Sequence, residues 1–197
     1  MLEKIIEWDK AAFLALNGMH HVALDRMMWY ISQMATWTPV YLLLLYFLYK
    51  KYPAKSFLYV IGAIALTLFF TDFIAATFVK ETVQRLRPGH EPSIQGWVHH
   101  VMDTQGHLYK GGSYGFFSNH ASNFFGVVTL YLSLMKPVRK WIVGLLYAWA
   151  LLIVYSRIYL GVHYPGDILV GAVYGMLIAW LVSKLFYKVI PTHTDKV

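Results

Sequence analysis

The segment 56–79 reads SFLYVIGAIALTLFFTDFIAATFV, an almost unbroken apolar run with a single charged side chain, Asp72. A helix needs about 20 mostly apolar residues to cross the hydrocarbon core of a bilayer, so this run is long enough to span a membrane. Directly after it the character of the sequence changes, and positions 80–88 read KETVQRLRP. The fold is therefore expected to place this cationic stretch at a membrane surface.

Four further apolar segments have a comparable length, so the chain is predicted to cross the membrane about five times. Hydrophobic residues make up 58% of the sequence and charged residues 14%, whereas a soluble domain has about 25% charged residues. We predict an all-α, polytopic membrane helical bundle that forms one domain over residues 1–197. The predicted spans are 25–49, 56–79, 119–135, 139–157 and 165–187.

The N-terminal region 1–20 follows a different pattern from the spans. In residues 2–17 the apolar side chains recur near one face of a helix, and the charged side chains lie elsewhere. This pattern predicts an interfacial helix that lies on the membrane. A helix packed against the protein's own bundle fits the same periodicity equally well.

Basic residues concentrate at one set of segment ends. The positive-inside rule assigns loops rich in Lys and Arg to the cytoplasm, so the loops 49–56 and 136–140 and the C-terminus are predicted to be cytoplasmic. The long connection 80–118 then lies outside, which in a bacterium is the periplasmic side of the inner membrane. The basic residues on the predicted cytoplasmic side are Lys50, Lys51, Lys55, Lys136, Arg139, Lys140, Lys184, Lys188 and Lys196.

Composition argues against several other classes of protein. The net charge is +7, but the charges lie in short loops between apolar runs and form no basic patch typical of nucleic-acid binding. The sequence has no cysteine, which excludes disulfides and thiolate metal sites. The first residues, MLEKIIEWDK, lack the compact apolar core and cleavage site of a signal peptide.

Three polar stretches at the ends of the apolar segments carry residues suited to binding phosphate. Lys80 and Arg87 lie in the first stretch, and Arg157 ends the fourth predicted span. Arginine binds phosphate oxygens as a bidentate fork and lysine binds them as a point charge. Ser118, in the second stretch FSNH, stands at an N-cap position, where the first N–H groups of a helix form an anion site.

The same stretches also carry groups that transfer protons or attack phosphorus. His120 lies in the first turn after Ser118, within reach of a phosphate bound there. His163 and Asp167 are spaced i and i+4, which makes them neighbours on one helix face if the helix begins near Pro165. A carboxylate behind a histidine fixes its tautomer and raises its nucleophilicity.

Chain direction alternates from span to span, so all of these motif-bearing ends are predicted to lie on one face. Taken singly, Lys80, Arg87 and Arg157 fit ordinary snorkelling to lipid headgroups, and the pair of His163 and Asp167 fits a structural hydrogen bond. The combined spacing favours catalysis.

The three stretches resemble the signature of the type-2 phosphatidic acid phosphatase superfamily, which includes the vanadium haloperoxidases. The family pattern is Lys-x6-Arg-Pro, then Pro-Ser-Gly-His, then Ser-Arg-x5-His-x3-Asp. Residues 80–88 match the first part, and Ser156 through Asp167 match the third, spacing included. The second part departs, because Phe117 and Asn119 stand in place of the proline and the glycine.

The resemblance implies a catalytic mechanism. His163 would attack phosphorus and form a phosphohistidine, Asp167 would orient His163, and His120 would protonate the leaving lipid oxygen and then help to activate water. No metal and no cofactor are implied. The residues expected to hold the transition-state oxygens are Lys80, Arg87, Ser118, Asn119 through its backbone N–H, and Arg157.

The implied activity is hydrolysis of a membrane lipid phosphate that enters sideways from the bilayer. We favour undecaprenyl diphosphate as substrate; lipid A phosphates, phosphatidylglycerol phosphate and phosphatidic acid are the alternatives. A lipid phosphotransferase with an alcohol acceptor, and a protein that holds phosphate without cleaving it, are different classes that remain open. Headgroup preference and oligomeric state are left open by the sequence.

Two features of the sequence have no assigned role. Asp72 lies inside the second span, where an ionisable side chain is unusual, and it is expected to pair with a basic residue of the site or with a hydroxyl such as that of Thr71. The long connection 80–118 contains four histidines whose spacing fits no standard metal site; they are expected to line the entrance or to stay solvated. They are His90, His99, His100 and His107.

Overall fold

The computed structural model describes residues 1–190, apart from the side chains of Ala75 and Ala76. Residues 1–190 are mainly helical and contain no extended strand, only two isolated β-bridges. A π-helical segment, Phe69–Val79, joins α4 to α5 without a break. The α-helices are α1 (Leu2–Asn17), α2 (Val22–Ser32), α3 (Thr38–Lys51), α4 (Ala54–Leu68), α5 (Lys80–Val83), α6 (Asn119–Met135), α7 (Lys140–Tyr159) and α8 (Pro165–Val189).

Within the described residues, three helices are long and apolar enough to cross a membrane, namely Ala54–Val83, Lys140–Tyr159 and Pro165–Val189. A fourth span is present if the bent pair Val22–Ser32 and Met34–Lys51 is one crossing. The predicted span 119–135 is α6, which has 17 residues. The all-α membrane bundle is confirmed, while the count of five spans stays a prediction.

The predicted first span, 25–49, is interrupted in the structure. The two halves meet at an angle of 71°, because Gln33 leaves the helical conformation with ψ 125°. Pro39 then stands at the start of α3, where its missing N–H is harmless. The break places the C-terminal end of α2 beside the polar stretches.

Helix α6 forms the centre of the bundle, and α8 packs closely along it. Glycines permit this approach: a Cβ on Gly175 would overlap the backbone carbonyl of Ser122, and one on Gly171 would lie 2.6 Å from the carbonyl oxygen of Ser118. Small residues allow such close helix contacts in membranes. The opposite face of α8 exposes large apolar side chains suited to lipid, among them Leu169, Val173, Leu177 and Trp180.

The basic ends of the helices lie together, as predicted. Lys51 at the end of α3 donates from Nζ to the carbonyl oxygens of Leu134 and Lys136, each at 2.8 Å. The hydroxyl of Tyr187, near the end of α8, donates to the Ser133 carbonyl at 2.7 Å. The polar stretches are therefore at the other end of the bundle. Lys196, which also belongs to the basic set, lies outside the described residues.

The helix predicted for residues 2–17 is α1, and it is tied to the bundle at its C-terminal end. Asn17 donates from Nδ2 to the carbonyls of Ile158 at 3.0 Å and Tyr159 at 2.9 Å, and its Oδ1 accepts from the N–H of His99 at 2.8 Å. Phe13 is fully buried, whereas Trp8 is 72% exposed. The second half of α1 therefore packs against the bundle. The position of α1 at the membrane interface stays a prediction.

Candidate active site

The first polar stretch lies partly on a helix and not wholly in the loop predicted for 80–118. Lys80 begins α5, and the helix continues to Val83 before Gln84 ends it in the left-handed conformation, with φ 50°. The N–H of Gln84 donates to the Lys80 carbonyl at 2.9 Å. The half-buried ammonium of Lys80 lies near enough to Arg87 and Arg157 to interact with their charges.

Arg87 is buried at the centre of the site, and the loop backbone closes around it. Its Nε donates to the Tyr114 carbonyl at 3.1 Å, and one terminal nitrogen donates to the Val162 carbonyl at 3.3 Å. Gly111 has φ +67°, and a Cβ there would lie 2.8 Å from the same guanidinium. Glycine at this position therefore allows the loop to approach the arginine.

His163 lies between Arg87 and Asp167. Its Nε2 is 3.4 Å from a terminal nitrogen of Arg87, and its Nδ1 is 3.5 Å from Oδ2 of Asp167. The second distance exceeds that of a good hydrogen bond, about 2.7–3.2 Å, so Nδ1 lies beside the carboxylate without a hydrogen-bond partner. Catalytic hydrogen bonds are often long in free enzymes.

The sequence predicts that His163 and Asp167 lie on one helix face, but in the structure they do not. Helix α8 begins at Pro165, so His163 precedes it and Asp167 is in its first turn. The carboxylate of Asp167 reaches back and accepts the N–H of Tyr164 at 3.0 Å. This local bond, and not an i, i+4 contact on a helix, sets the carboxylate beside His163.

His163 is 2% exposed. Burial lowers the pKa of its imidazole well below the usual 6.5, and the positive charges of Arg87, Arg157 and Lys80 lower it further. The neutral imidazole therefore dominates at neutral pH, which leaves one ring nitrogen with a free lone pair.

Asp167 has a second partner that sequence reasoning missed. Its Oδ1 forms an ion pair with Arg85 at 2.8 Å, and the other terminal nitrogen of Arg85 pairs with Asp9 of α1 at 2.7 Å. Arg85 lies among the six unspecified positions of the first stretch, and no spacing rule connects it to residue 9. Only the folded chain reveals this link.

His120 and Arg157 meet at the C-terminal end of α2. Nε2 of His120 is 3.1 Å from the carbonyl of Ser32, and one terminal nitrogen of Arg157 donates to the Ser32 hydroxyl. The other terminal nitrogen donates to the hydroxyl of Tyr109 at 3.0 Å. Sequence reasoning missed Ser32 and Tyr109, because neither belongs to a motif.

Ser118 occupies the N-cap of α6, as predicted, and is fully buried. Its hydroxyl accepts from the N–H of Ala121 at 3.4 Å, while its own N–H donates to the Asp167 carbonyl oxygen at 3.1 Å. This bond joins the second stretch to the third. The first turn of α6, with Asn119 and His120, thereby faces the same site.

Asn119 and Asp72 are partners in the structure. Nδ2 of Asn119 donates to Oδ1 of Asp72 at 2.7 Å, and the amide of Asn123 lies 3.3 Å from the same oxygen. Thr71 donates its hydroxyl to Asn123 at 2.7 Å. Among residues 1–190, the direct hydrogen-bond partners of Asp72 are these side-chain amides and not the cation or hydroxyl that the sequence predicts. The Lys80 ammonium nevertheless lies near enough to interact with the Asp72 charge.

The loop histidines have separate surroundings. His99 pairs with Asp25 at 3.0 Å and stacks on His20 with ring centroids 3.7 Å apart. His107 is exposed beside Asp103. Within residues 1–190 no group of three or more His, Cys, Asp or Glu side chains is arranged to hold a metal ion.

An apolar cavity of about 350 Å³ adjoins the site between α3, α4 and α6. It begins beside Asn123 and Phe124, one helical turn from Asn119 and His120. From there it runs along α6 to Leu134, about 16 Å away at 1.5 Å per residue. The other residues that line it include Tyr41, Leu44, Leu48, Val127 and Leu130.

Comparisons with known proteins identify the family of this chain. The PAP2 superfamily profile matches residues 56–191. The lipid A 4'-phosphatase of Porphyromonas gingivalis is 34% identical over 190 residues, which cover 94% of this chain and 75% of that protein. The lipid A 4'-phosphatase of Bacteroides thetaiotaomicron is 32% identical over 188 residues, which cover 95% of this chain and 81% of that protein.

The fold has a solved counterpart as well. A transmembrane PAP2-type phosphatidylglycerolphosphate phosphatase from Bacillus subtilis aligns with a TM-score of 0.69 at 20% identity, over 96% of this chain and 90% of that one. This likeness supports the helical membrane architecture. The resemblance drawn from the three polar stretches is confirmed: the chain belongs to the PAP2 superfamily and is a membrane lipid phosphatase.

Proposed function

We propose that this protein removes a phosphate from lipid A through a phosphohistidine on His163. The observation that supports the chemistry best is the position of His163, which is buried with one ring nitrogen toward Arg87 and the other toward Asp167. A neutral imidazole held between a cation that binds phosphate and a carboxylate is arranged for nucleophilic attack.

In the first step Nε2 of His163 attacks phosphorus, and the bond from phosphorus to the lipid oxygen breaks. The imidazole gains positive charge, which the adjacent Asp167 carboxylate stabilises through Nδ1–H. The oxygens of the transferring group are held by cations and by helix N–H groups, which replace water as the stabilising environment. These are Lys80, Arg87, Arg157, and the start of α6 at Ser118 and Asn119.

His120 handles the proton in both steps. A carbonyl only accepts, so the contact with Ser32 assigns a proton to Nε2 of His120 and leaves Nδ1 to exchange the second proton. The dianionic substrate brings the negative charge that favours the doubly protonated ring. Nδ1 protonates the leaving lipid oxygen, then takes a proton from the water that attacks the phosphohistidine. The P–N bond breaks, and phosphate leaves.

The identity of the lipid rests on the relatives and on the apolar cavity. Sequence reasoning favoured undecaprenyl diphosphate, and an undecaprenyl-diphosphatase from Sulfolobus acidocaldarius is 30% identical over 91% of this chain. The two lipid A 4'-phosphatases are 34% and 32% identical over 94% and 95% of this chain. Their higher identity supports lipid A as the substrate proposed first. The cavity next to His120 is lined almost wholly by apolar side chains and suits an acyl chain. The site would face the periplasm, since the basic ends lie at the opposite end of the bundle.

The test is phosphate release by the detergent-purified protein in EDTA. The substrates are lipid A, undecaprenyl diphosphate, phosphatidylglycerol phosphate and phosphatidic acid, with no added alcohol acceptor, and mass spectrometry of the lipid A product locates the phosphate removed. We expect fastest release from lipid A and none from His163→Ala. Faster hydrolysis of another lipid would overturn the substrate, and full activity in His163→Ala would overturn the chemistry. Turnover that requires an alcohol acceptor would identify a phosphotransferase.

A further inference from the structure

We infer that Asp9 and Arg85 are positioning residues of the active site, through which the N-terminal helix α1 sets the carboxylate that faces His163. The inference rests on the proposed role of His163 as nucleophile. It assigns a part in the reaction to a helix whose sequence indicates only an amphipathic segment at the membrane surface.

Arg85 connects two carboxylates with two different nitrogens. One terminal nitrogen is 2.8 Å from Oδ1 of Asp167, and the other is 2.7 Å from Oδ2 of Asp9. The guanidinium also lies 4.0 Å from the ring centroid of Tyr164, so three contacts fix its plane. Asp167 is fully buried, and Arg85 connects its carboxylate to the partly exposed carboxylate of Asp9.

Asp9 holds this arrangement from two sides. While Oδ2 binds Arg85, Oδ1 accepts the N–H of Gly166 at 2.7 Å, in the first turn of α8. A Cβ at position 166 would lie 2.6 Å from the Asp9 carboxylate, so the contact depends on glycine. One side chain of α1 thereby fixes both the arginine that binds Asp167 and the helix end that carries Asp167.

The charges alternate in sign from Asp9 to Arg85 to Asp167, which faces His163. Arg85 alone would draw the negative charge of Asp167 away from the imidazole when His163 becomes positive during attack. Asp9 neutralises Arg85 and so leaves Asp167 free to stabilise that positive charge. Other groups also act here: Arg87, Arg157 and Lys80 face His163, Arg87 also faces Asp167, and Glu91 faces Tyr164.

Two substitutions that change the local charge in opposite directions test the inference. Arg85→Gln removes a positive charge near His163, so protonation of the imidazole becomes easier and the acid limb of the kcat/KM profile moves to higher pH. Asp9→Asn removes a negative charge and moves the limb to lower pH. Each shift is expected to be about 0.5–1 pH unit, since both groups act through Asp167 and not by direct contact, where 1–3 units are typical.

Turnover is expected to fall while substrate binding changes little, because neither residue contacts the phosphate. We expect kcat to fall by on the order of 10–10²-fold in Arg85→Gln, a size reached when a catalytic group moves by about 1 Å. The double variant Asp9→Asn/Arg85→Gln is expected to restore the pH limb but not the full rate. Arg85→Lys, which keeps the charge, is expected to keep the limb of the unmodified protein.

Lys10→Gln is the matched control. Lys10 follows Asp9 on α1 and also joins α1 to the loop, through Glu91 at 3.1 Å and Ser93 at 2.9 Å, but it has no contact with Arg85 or Asp167. It is expected to leave the pH profile and kcat unchanged, and melting in detergent checks that every variant is folded.

Shifts of the same sign in Asp9→Asn and Arg85→Gln, or no shift in either, would overturn the inference, as would equal rate losses in Lys10→Gln. Such results leave the proposed function standing provided that His163→Ala is inactive. If His163→Ala keeps its activity, it is the proposed function that fails.

Discussion

Replacing Asp167 with asparagine tests the electrostatic arrangement of the site, because three donors surround that carboxylate. Arg85 contacts Oδ1 at 2.8 Å, while the Tyr164 N–H at 3.0 Å and Nδ1 of His163 at 3.5 Å face Oδ2. An amide has one acceptor oxygen and one NH2 group. In either orientation of asparagine, its NH2 therefore faces a donor.

The size of the effect follows from these contacts. With NH2 toward His163, the imidazole is driven to the tautomer that carries its proton on Nε2, which cannot attack. With NH2 toward Arg85, the part-buried ion pair is lost, and so is the carboxylate charge that stabilises the imidazole as it turns positive. An Asp→Asn change behind the histidine of a serine-protease triad lowers kcat by about 10⁴-fold. Because the contact with His163 is longer here, kcat is expected to fall by about 10²–10⁴-fold.

The assay is phosphate release under saturating lipid A, with KM measured in parallel. KM is expected to stay within a few-fold of the unmodified protein, because Asp167 is not among the residues proposed to hold the phosphate. Glu81→Gln, at an exposed carboxylate on α5, serves as control and is expected to be fully active. A loss of less than tenfold in Asp167→Asn would refute the reasoning.

Three further outcomes follow from the geometry. The pKa of His163 is lowered by burial and by neighbouring cations, and the neutral ring is the nucleophile. As pH falls below 6.5, kcat/KM should therefore persist, and it should decline only near the lowered pKa. An acid limb above pH 6.5 would contradict this. Gly175→Ala, whose Cβ overlaps Ser122, should lower stability in detergent by about 1–3 kcal/mol, whereas Gly144→Ala, with open space around it, should not; equal melting temperatures would contradict the packing account. Val127→Trp, which fills the apolar cavity, should raise KM for lipid A and leave hydrolysis of a short-chain water-soluble phosphate ester unchanged; equal effects on both substrates would contradict a role for the cavity in lipid binding.

The sequence predicts the helical membrane bundle because the length of each apolar segment can be read from the local sequence alone. The sequence also predicts that the three polar stretches lie at one end of the bundle, since chain direction alternates from span to span. The break at Gln33 was missed although Ser32, Gln33 and Pro39 interrupt the apolar run, because segment length and mean hydropathy do not register a change in backbone conformation. That break places Ser32 beside His120 and Arg157.

Long-range side-chain contacts were beyond sequence reasoning. Asp9 and Arg85 are 76 positions apart, and no periodicity relates them. Asp72 lies in a π-helical segment, where the side-chain register differs from that of an α-helix, so its amide partners could not be read from spacing. The relation of His163 to Asp167 was recognised from spacing, but its geometry depends on where α8 begins.

The central claim is that a covalent bond forms between phosphorus and His163. The direct measurement is rapid quenching of the protein during turnover of lipid A labelled with ³²P, followed by mass spectrometry of its peptides. The account predicts acid-labile, alkali-stable phosphate on the peptide that carries His163, and no such phosphate in His163→Ala. Phosphate on another residue, or turnover by the unmodified protein without any labelled peptide, would contradict the account.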